Sequence, residues 1–258
     1  MRIAISAIAT VGFVAIISVA YALTKAPPPF ADNFESGALD DPLWQVDKKH
    51  ECSIRVTEGI ARTGDHALQF NAGPGARCEV VPKIFRDPIG RYRREPFQTE
   101  RWYRFSTWLS SPWPPNEKNE IIAQWHGTDD EFLGDRGLRG PALAIRIYGN
   151  SFHITHGHDA NFVSERQWIA NQRLWTAPIE TDRWLDWLVQ ARWSWKEDGY
   201  LRIWLNGKLI VEHRGPNSYN DLRGVYLKLG PYHPGFRRNF LLDDVHIGDS
   251  EPTADTPH

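Results

Sequence analysis

The chain predicts an all-β protein, a jelly-roll-like sandwich of two antiparallel sheets, and three observations carry that expectation. Helical periodicity is nearly absent. Short runs rich in β-branched and aromatic residues recur instead, each bounded by Gly, Pro, Asn or Asp. In "YLRIWLNGKLIVEH", Asn206-Gly207 separates two such runs and suits a type I′ hairpin turn, which needs positive φ at both central residues. Many short strands without an internal repeat imply two stacked sheets.

In order, the first strand is expected at 30–35, directly after a Pro-rich stretch, and the next at 52–57, where "CSIRVT" alternates polar and apolar. "HALQFN" and "RCEVV" supply strands at 66–71 and 77–81. The aromatic "WYRFSTWL" gives 102–109, and "EIIAQWH" gives 120–126. "ALAIRIY" and "SFHITH" place strands at 142–148 and 151–156. Further strands are expected at 184–194, at 199–205 and 208–213 around the hairpin turn, at 224–230 and at 239–247. Residues 86–101 and 127–140 read as long loops, a length often tied to function.

Residues 1–22 read as a signal peptide or an N-terminal membrane anchor. Arg2 precedes an apolar stretch, and "AYA" at 20–22 fits a small-x-small cleavage site. The apolar run is about long enough to span a bilayer if uncleaved. Residues 23–29, ending in three prolines, form a short stiff linker. Residues 30–250 are then one domain, and 251–258 a flexible tail. Either leader exports the domain, so Cys52 and Cys78 are expected to form a disulfide.

Twelve tryptophans among 258 residues indicate a folded, aromatic-rich chain. The net charge of -2 does not select a partner. Locally, six arginines lie between Arg86 and Arg104, a segment that suits a polyanion but reads by default as a solvated loop. No zinc-finger spacing, phosphate loop or nucleic-acid motif accompanies it, which sets nucleic acid aside.

Three strands carry a polar face opposite an apolar one. In "ARCEVV", Arg77 and Glu79 oppose Cys78 and Val80. In "EIIAQWHG", Ile122, Gln124 and His126 share one side, with Ile121, Ala123 and Trp125 on the other. In "VYLKLGPYH", Tyr226, Lys228, Gly230 and Tyr232 alternate against Val225, Leu227 and Leu229. Arg, Gln, His, Lys and Tyr together suit gripping a carboxylate and moving a proton.

"RCE", "QWH" and "YLKLGPY" resemble, in order, the three signature segments of jelly-roll polysaccharide lyases of the heparin-lyase-like, glucuronan-lyase-like and alginate-lyase-like group. The stretches "RWYRFSTWLSSPWPP" and "DGYLRIWLNGKLI" look most like the heparin-lyase-like members. The resemblance covers residues 30–248; Trp125 and His233 depart from the alginate-lyase pattern. It implies cleavage of a uronate polysaccharide by β-elimination. His126 would then act as base and Tyr232 as acid, with Arg77 and Gln124 holding the substrate carboxylate. Glu79 would orient Arg77, and Lys228 would sit near the developing charge. Where the C5 proton and the leaving oxygen lie on the same side, Tyr232 could serve both steps.

Tyr226, Arg146 and Tyr148 are further expected substrate contacts. Trp102, Trp108, Trp113, Trp168 and Trp175 offer rings for sugar stacking, against a default of core packing. His153, His156 and His158 invite a metal, but alternation points His153 and His156 in opposite directions. No cofactor is required; Asp243 and Asp244 are the carboxylates a structural calcium would use, against a default of a solvent-facing pair. The expected partner is an acidic polysaccharide, and the expected state a monomer. A glycoside hydrolase of this fold would carry an E-x-D-x-x-E strand, which is absent. The alternative is a non-catalytic carbohydrate-binding, lectin-like module.

Overall fold

A computed structural model describes residues 26–39, 42–85, 94–130, 134–135, 140–163 and 172–252. The expected leader, Trp168, and parts of the linker, the tail and both long loops lie outside these residues. Among them, the regular structure is fifteen strands and one short 3-10 helix at Lys83–Phe85. The strands are β1 (Phe30–Asp32), β2 (Trp44–Lys49), β3 (Cys52–Glu58), β4 (His66–Ala72), β5 (Arg77–Pro82), β6 (Glu100–Leu109), β7 (Asn116–His126) and β8 (Pro141–Gly149). The remainder are β9 (Ser151–His156), β10 (Gln172–Pro178), β11 (Trp184–Arg192), β12 (Tyr200–Leu205), β13 (Lys208–Arg214), β14 (Tyr226–Tyr232) and β15 (Arg238–Gly248).

Two antiparallel sheets result. One runs β13-β12-β11-β6-β15-β4-β3, with β1 also on β15; the other runs β10-β9-β8-β7-β14-β5-β2. Alternating residues of each sheet fill the space between them, among them Phe70, Tyr103, Phe105, Trp125, Trp187, Trp193 and Leu229. The β12–β13 hairpin turns as its sequence requires, with φ of 50° at Asn206 and 77° at Gly207.

Cys52 and Cys78 form the expected disulfide, with Cα atoms 5.4 Å apart. It ties β3 of one sheet to β5 of the other. The chain-entropy estimate for its separation of 26 residues is ~3.5 kcal/mol.

The structure corrects several expectations. β2 and β10 were not expected, and both are sheet edges. The Arg-rich segment is not a solvated loop where it is described. β6 begins at Glu100, and Arg101 is fully buried with Glu95 at 2.8 Å. The faces of Ile121 and Ile122 are also exchanged. The β7–β8 register shifts between Ile121 and Ala123, so Ile122 joins the core while Ile121 stands opposite Arg146 and Tyr232.

Candidate active site

The second sheet turns the expected residues outward from the core on three neighbouring strands, β5, β14 and β7. Cys78, Val80, Leu227, Leu229, Ala123 and Trp125 face inward, which leaves Arg77, Glu79, Lys228, Gln124 and His126 on the other side. Lys228 stands opposite Gln124, and Tyr226 opposite His126. Beyond Leu229 the β14 register shifts, and Tyr232 pairs with both Arg77 and Ile121. Gly230 makes that passage possible. Its φ is 119°, and a Cβ there would sit 2.4 Å from the Cys78 carbonyl oxygen.

Glu79 is the hub of the cluster. Fully buried, it accepts a 2.5 Å hydrogen bond from Gln124 Nε2 and lies 3.0 Å from Lys228 Nζ and 3.5 Å from Arg77 Nη1. Asp47 on β2 closes the set, 2.7 Å from Lys228 Nζ and 3.0 Å from Arg77 Nη1. Two cations thus face two carboxylates. Burial pushes the Glu79 carboxyl up, opposed by Lys228, Gln124 and Arg77. Burial alone would lower Lys228, but Glu79 and Asp47 carry it above its ordinary value. Both cations and the Gln124 amide converge on one oxygen pair and favour the ionised form, against the net upward pull of burial. Arg77 keeps about a third of its side chain exposed, and its guanidinium lies over the Tyr232 ring at 4.5 Å. The other face of the site is aromatic: Tyr232 stacks on His233 at 3.9 Å.

His126 is half-buried, and its Nδ1 lies 2.8 Å from the Gly127 carbonyl oxygen. That contact makes Nδ1 the protonated nitrogen and leaves Nε2 with a free lone pair. Burial lowers the imidazole pKa; Gly127 partly offsets this, while Lys228, Arg77 and Arg94 lower it further. His126 is therefore neutral at neutral pH, the state a base requires. Its ring lies 5.9 Å from that of Tyr226, which is itself covered by the Arg94 guanidinium at 3.8 Å. Tyr226 and Lys228 border a cavity of about 170 Å³ that Gln45, Asp47, Phe85 and Arg94 also line.

Arg146 and Tyr148 lie on β8, the strand beyond β7. Arg146 is buried, and Tyr148 is exposed with its ring 5.8 Å from His153. The described tryptophans among the stacking candidates sit elsewhere. Trp102 stacks on Trp204 and Trp108 packs edge-on to Trp184, all on the other sheet; Trp113 lies under Arg238, and Trp175 packs against the core.

His156 is buried against His213 at 4.4 Å, whereas His153 pairs with Arg146 in the opposite direction. Among the described residues no group of three or more His, Cys, Asp or Glu side chains is arranged to hold a metal ion. Asp243 and Asp244 are buried rather than solvent-facing. Asp243 accepts hydrogen bonds from the Arg62 and Asp244 backbone N–H groups, and Asp244 accepts one from Thr63.

Sequence reasoning missed Asp47 and gave Arg94 no individual role. Asp47 had a signal: in "WQVDKK" Gln45 and Asp47 alternate with Val46 and Lys48. Recognising β2 as a strand would have put Asp47 beside Glu79, its register partner.

Comparison with known proteins agrees with this architecture. An endo-β-1,4-glucuronan lyase from the fungus Trichoderma reesei superposes with a TM-score of 0.66 at 21% identity, over 88% of this chain and 97% of that one. The cellulose-induced protein Cip1 superposes with a TM-score of 0.57 at 16% identity, over 87% and 99% of the two chains. No curated protein matches the sequence. Residues 34–252 match the polysaccharide lyase family, and the chain belongs to that family.

Proposed function

We propose that this protein cleaves a uronic-acid-containing polysaccharide by β-elimination. The observation that carries the reading is the convergence of Arg77, Glu79, Gln124 and Lys228 on one outer face, flanked by His126 and Tyr232. The exposed part of Arg77, with Gln124 beside it, receives the uronate carboxylate, where negative charge grows as the C5 proton leaves. His126 Nε2 takes that proton, the C5–H electrons form the C4–C5 double bond, and the C4–O bond breaks. The departing oxygen takes the phenolic proton of Tyr232. This division suits iduronate or guluronate, where the C5 proton and the leaving oxygen lie on opposite sides. For glucuronate or mannuronate, with both on one side, Tyr232 serves both steps and His126 helps to hold the carboxylate.

A second assignment of the acid has a specific observation behind it. Tyr226 stands directly opposite His126, with the rings 5.9 Å apart, whereas Tyr232 pairs with Ile121, five residues along β7. Each phenol has a guanidinium over its ring, Arg94 over Tyr226 and Arg77 over Tyr232; Tyr232 is kept as the acid because it lies beside Arg77, the proposed carboxylate receptor.

We further propose that the protein is exported, which the apolar N-terminal stretch and the Cys52–Cys78 disulfide support, and that it acts as a monomer on an acidic polysaccharide without a cofactor. The test is incubation with alginate, glucuronan, heparin, heparan and hyaluronan under ultraviolet detection. Elimination gives a rise in absorbance together with new reducing ends. New ends without absorbance would mean hydrolysis; binding without either would mean a lectin-like module.

A further inference from the structure

Charge on this outer face is balanced around Glu79 and unbalanced one strand further out. Arg77 and Lys228 are both matched by Asp47 and Glu79. Arg146 has no carboxylate within ion-pair distance among the described residues; the groups acting on its charge are the Tyr219 and Tyr232 phenols. It is only 7% exposed. Its Nε donates to Thr155 Oγ1 at 2.9 Å, which fixes the plane of the guanidinium. The two terminal nitrogens make no hydrogen bond to any described residue, and neither is sealed from solvent.

A nearly buried cation without a counter-charge is costly unless an anion arrives to meet it. Its place in the fold says where that anion belongs. Arg146, Ile121, Tyr232 and Arg77 are successive register partners across β8, β7, β14 and β5. Arg146 is thus two strands from Tyr232 and three from Arg77, about 10 and 14 Å between backbones at the usual interstrand spacing. An extended polysaccharide lying across these strands would bring a nearby uronate to Arg146 while another occupies Arg77.

We infer that Arg146 is the receptor for a second carboxylate, that of a uronate neighbouring the one being cleaved, so that the site reads consecutive uronates. This rests on the β-elimination reading and adds the substrate class: homopolymeric runs of uronate are preferred over chains in which uronates alternate with neutral sugars. A planar guanidinium offering two parallel donors suits a carboxylate, and a Lys at the same position would lose that fork.

The test has two arms, each comparing the parent with Arg146→Gln and Arg146→Lys after thermal melts have verified folding. The first measures calorimetric affinity for oligoglucuronate and for the same oligomer with its carboxylates reduced to alcohols, so it does not require turnover. Arg146→Gln should bind oligoglucuronate roughly 10- to 100-fold more weakly than the parent, with Arg146→Lys between them, and the reduced oligomer should not distinguish the three. The second follows kcat/KM on glucuronan carrying randomly reduced carboxylates. With half of them reduced, a site reading two carboxylates falls to about a quarter of its rate, and a site reading one to about a half. The parent should follow the first curve and Arg146→Gln the second. Unchanged affinity in Arg146→Gln would overturn the inference. An affinity difference without elimination would overturn the reaction proposed above and leave the carboxylate receptor standing.

Discussion

Replacing Glu79 with Gln probes the hub of the site. The change keeps the side chain's shape and removes the one charge that faces both Arg77 and Lys228 from a fully buried position. Breaking a buried ion pair typically costs about 3–5 kcal/mol. Here Asp47 still holds Lys228 at 2.7 Å and Arg77 at 3.0 Å, so the expected loss falls just below that range, roughly 2–3 kcal/mol. For a chain of this size that lowers Tm by about 5–10 °C. Salt should change the difference little, because the pair is buried. Turnover should fall as well, since Gln124 and Arg77 lose the carboxylate that orients them. Differential scanning calorimetry at two ionic strengths, alongside ultraviolet turnover assays, reads both effects. A variant with the parent's Tm and turnover would show that Glu79 is protonated in the folded protein and that the charge balance is misassigned.

Two further outcomes concern titration. His126 has its pKa held below the ordinary imidazole value by burial and by Lys228, Arg77 and Arg94, so it loses its proton early as pH rises. The acid limb of kcat/KM should therefore have its midpoint below 6.5, and a midpoint above that value would contradict His126 as the base. Asp243 is pushed up to about 7 by burial, against 3.8 for an ordinary Asp, so the folded state binds its proton more tightly than the unfolded chain does. Its stabilising contribution is full below about pH 4 and is lost as pH rises through about 7. Melts between pH 5 and 8 should show a decline that Asp243→Asn flattens, at up to ~1.4 kcal/mol per pH unit in the parent. Parallel curves for parent and variant would refute the assignment.

The interior strands and the site's residue types were legible because each interior strand carries a strong apolar face. β7, β8 and β14 bury most of their length between neighbours. β2 and β10 were not legible for the converse reason. They close the two edges of one sheet, and their half-exposed sequences, "WQVDKK" and "QRLWTAP", lack a continuous apolar run. Missing β2 hid Asp47. Alternation also failed at Ile121 and Ile122, because a register shift is invisible to a period-two count. The pairing of Arg77 and Lys228 with carboxylates needs three strands in register, and no local pattern encodes that.

Replacement of Tyr232 with Phe, beside Tyr226→Phe as comparator, tests the central claim most directly. Both variants are followed by ultraviolet absorbance on the uronate polymer that the parent cleaves best. Only the transferable proton is lost in Tyr232→Phe, so kcat should fall by at least the ~10²–10⁴-fold usual for acid–base groups, with Tm and substrate binding retained. Tyr226→Phe should keep most of the parent's turnover. Near-normal turnover in Tyr232→Phe would contradict the account, and a collapse confined to Tyr226→Phe would transfer the acid to the residue opposite His126.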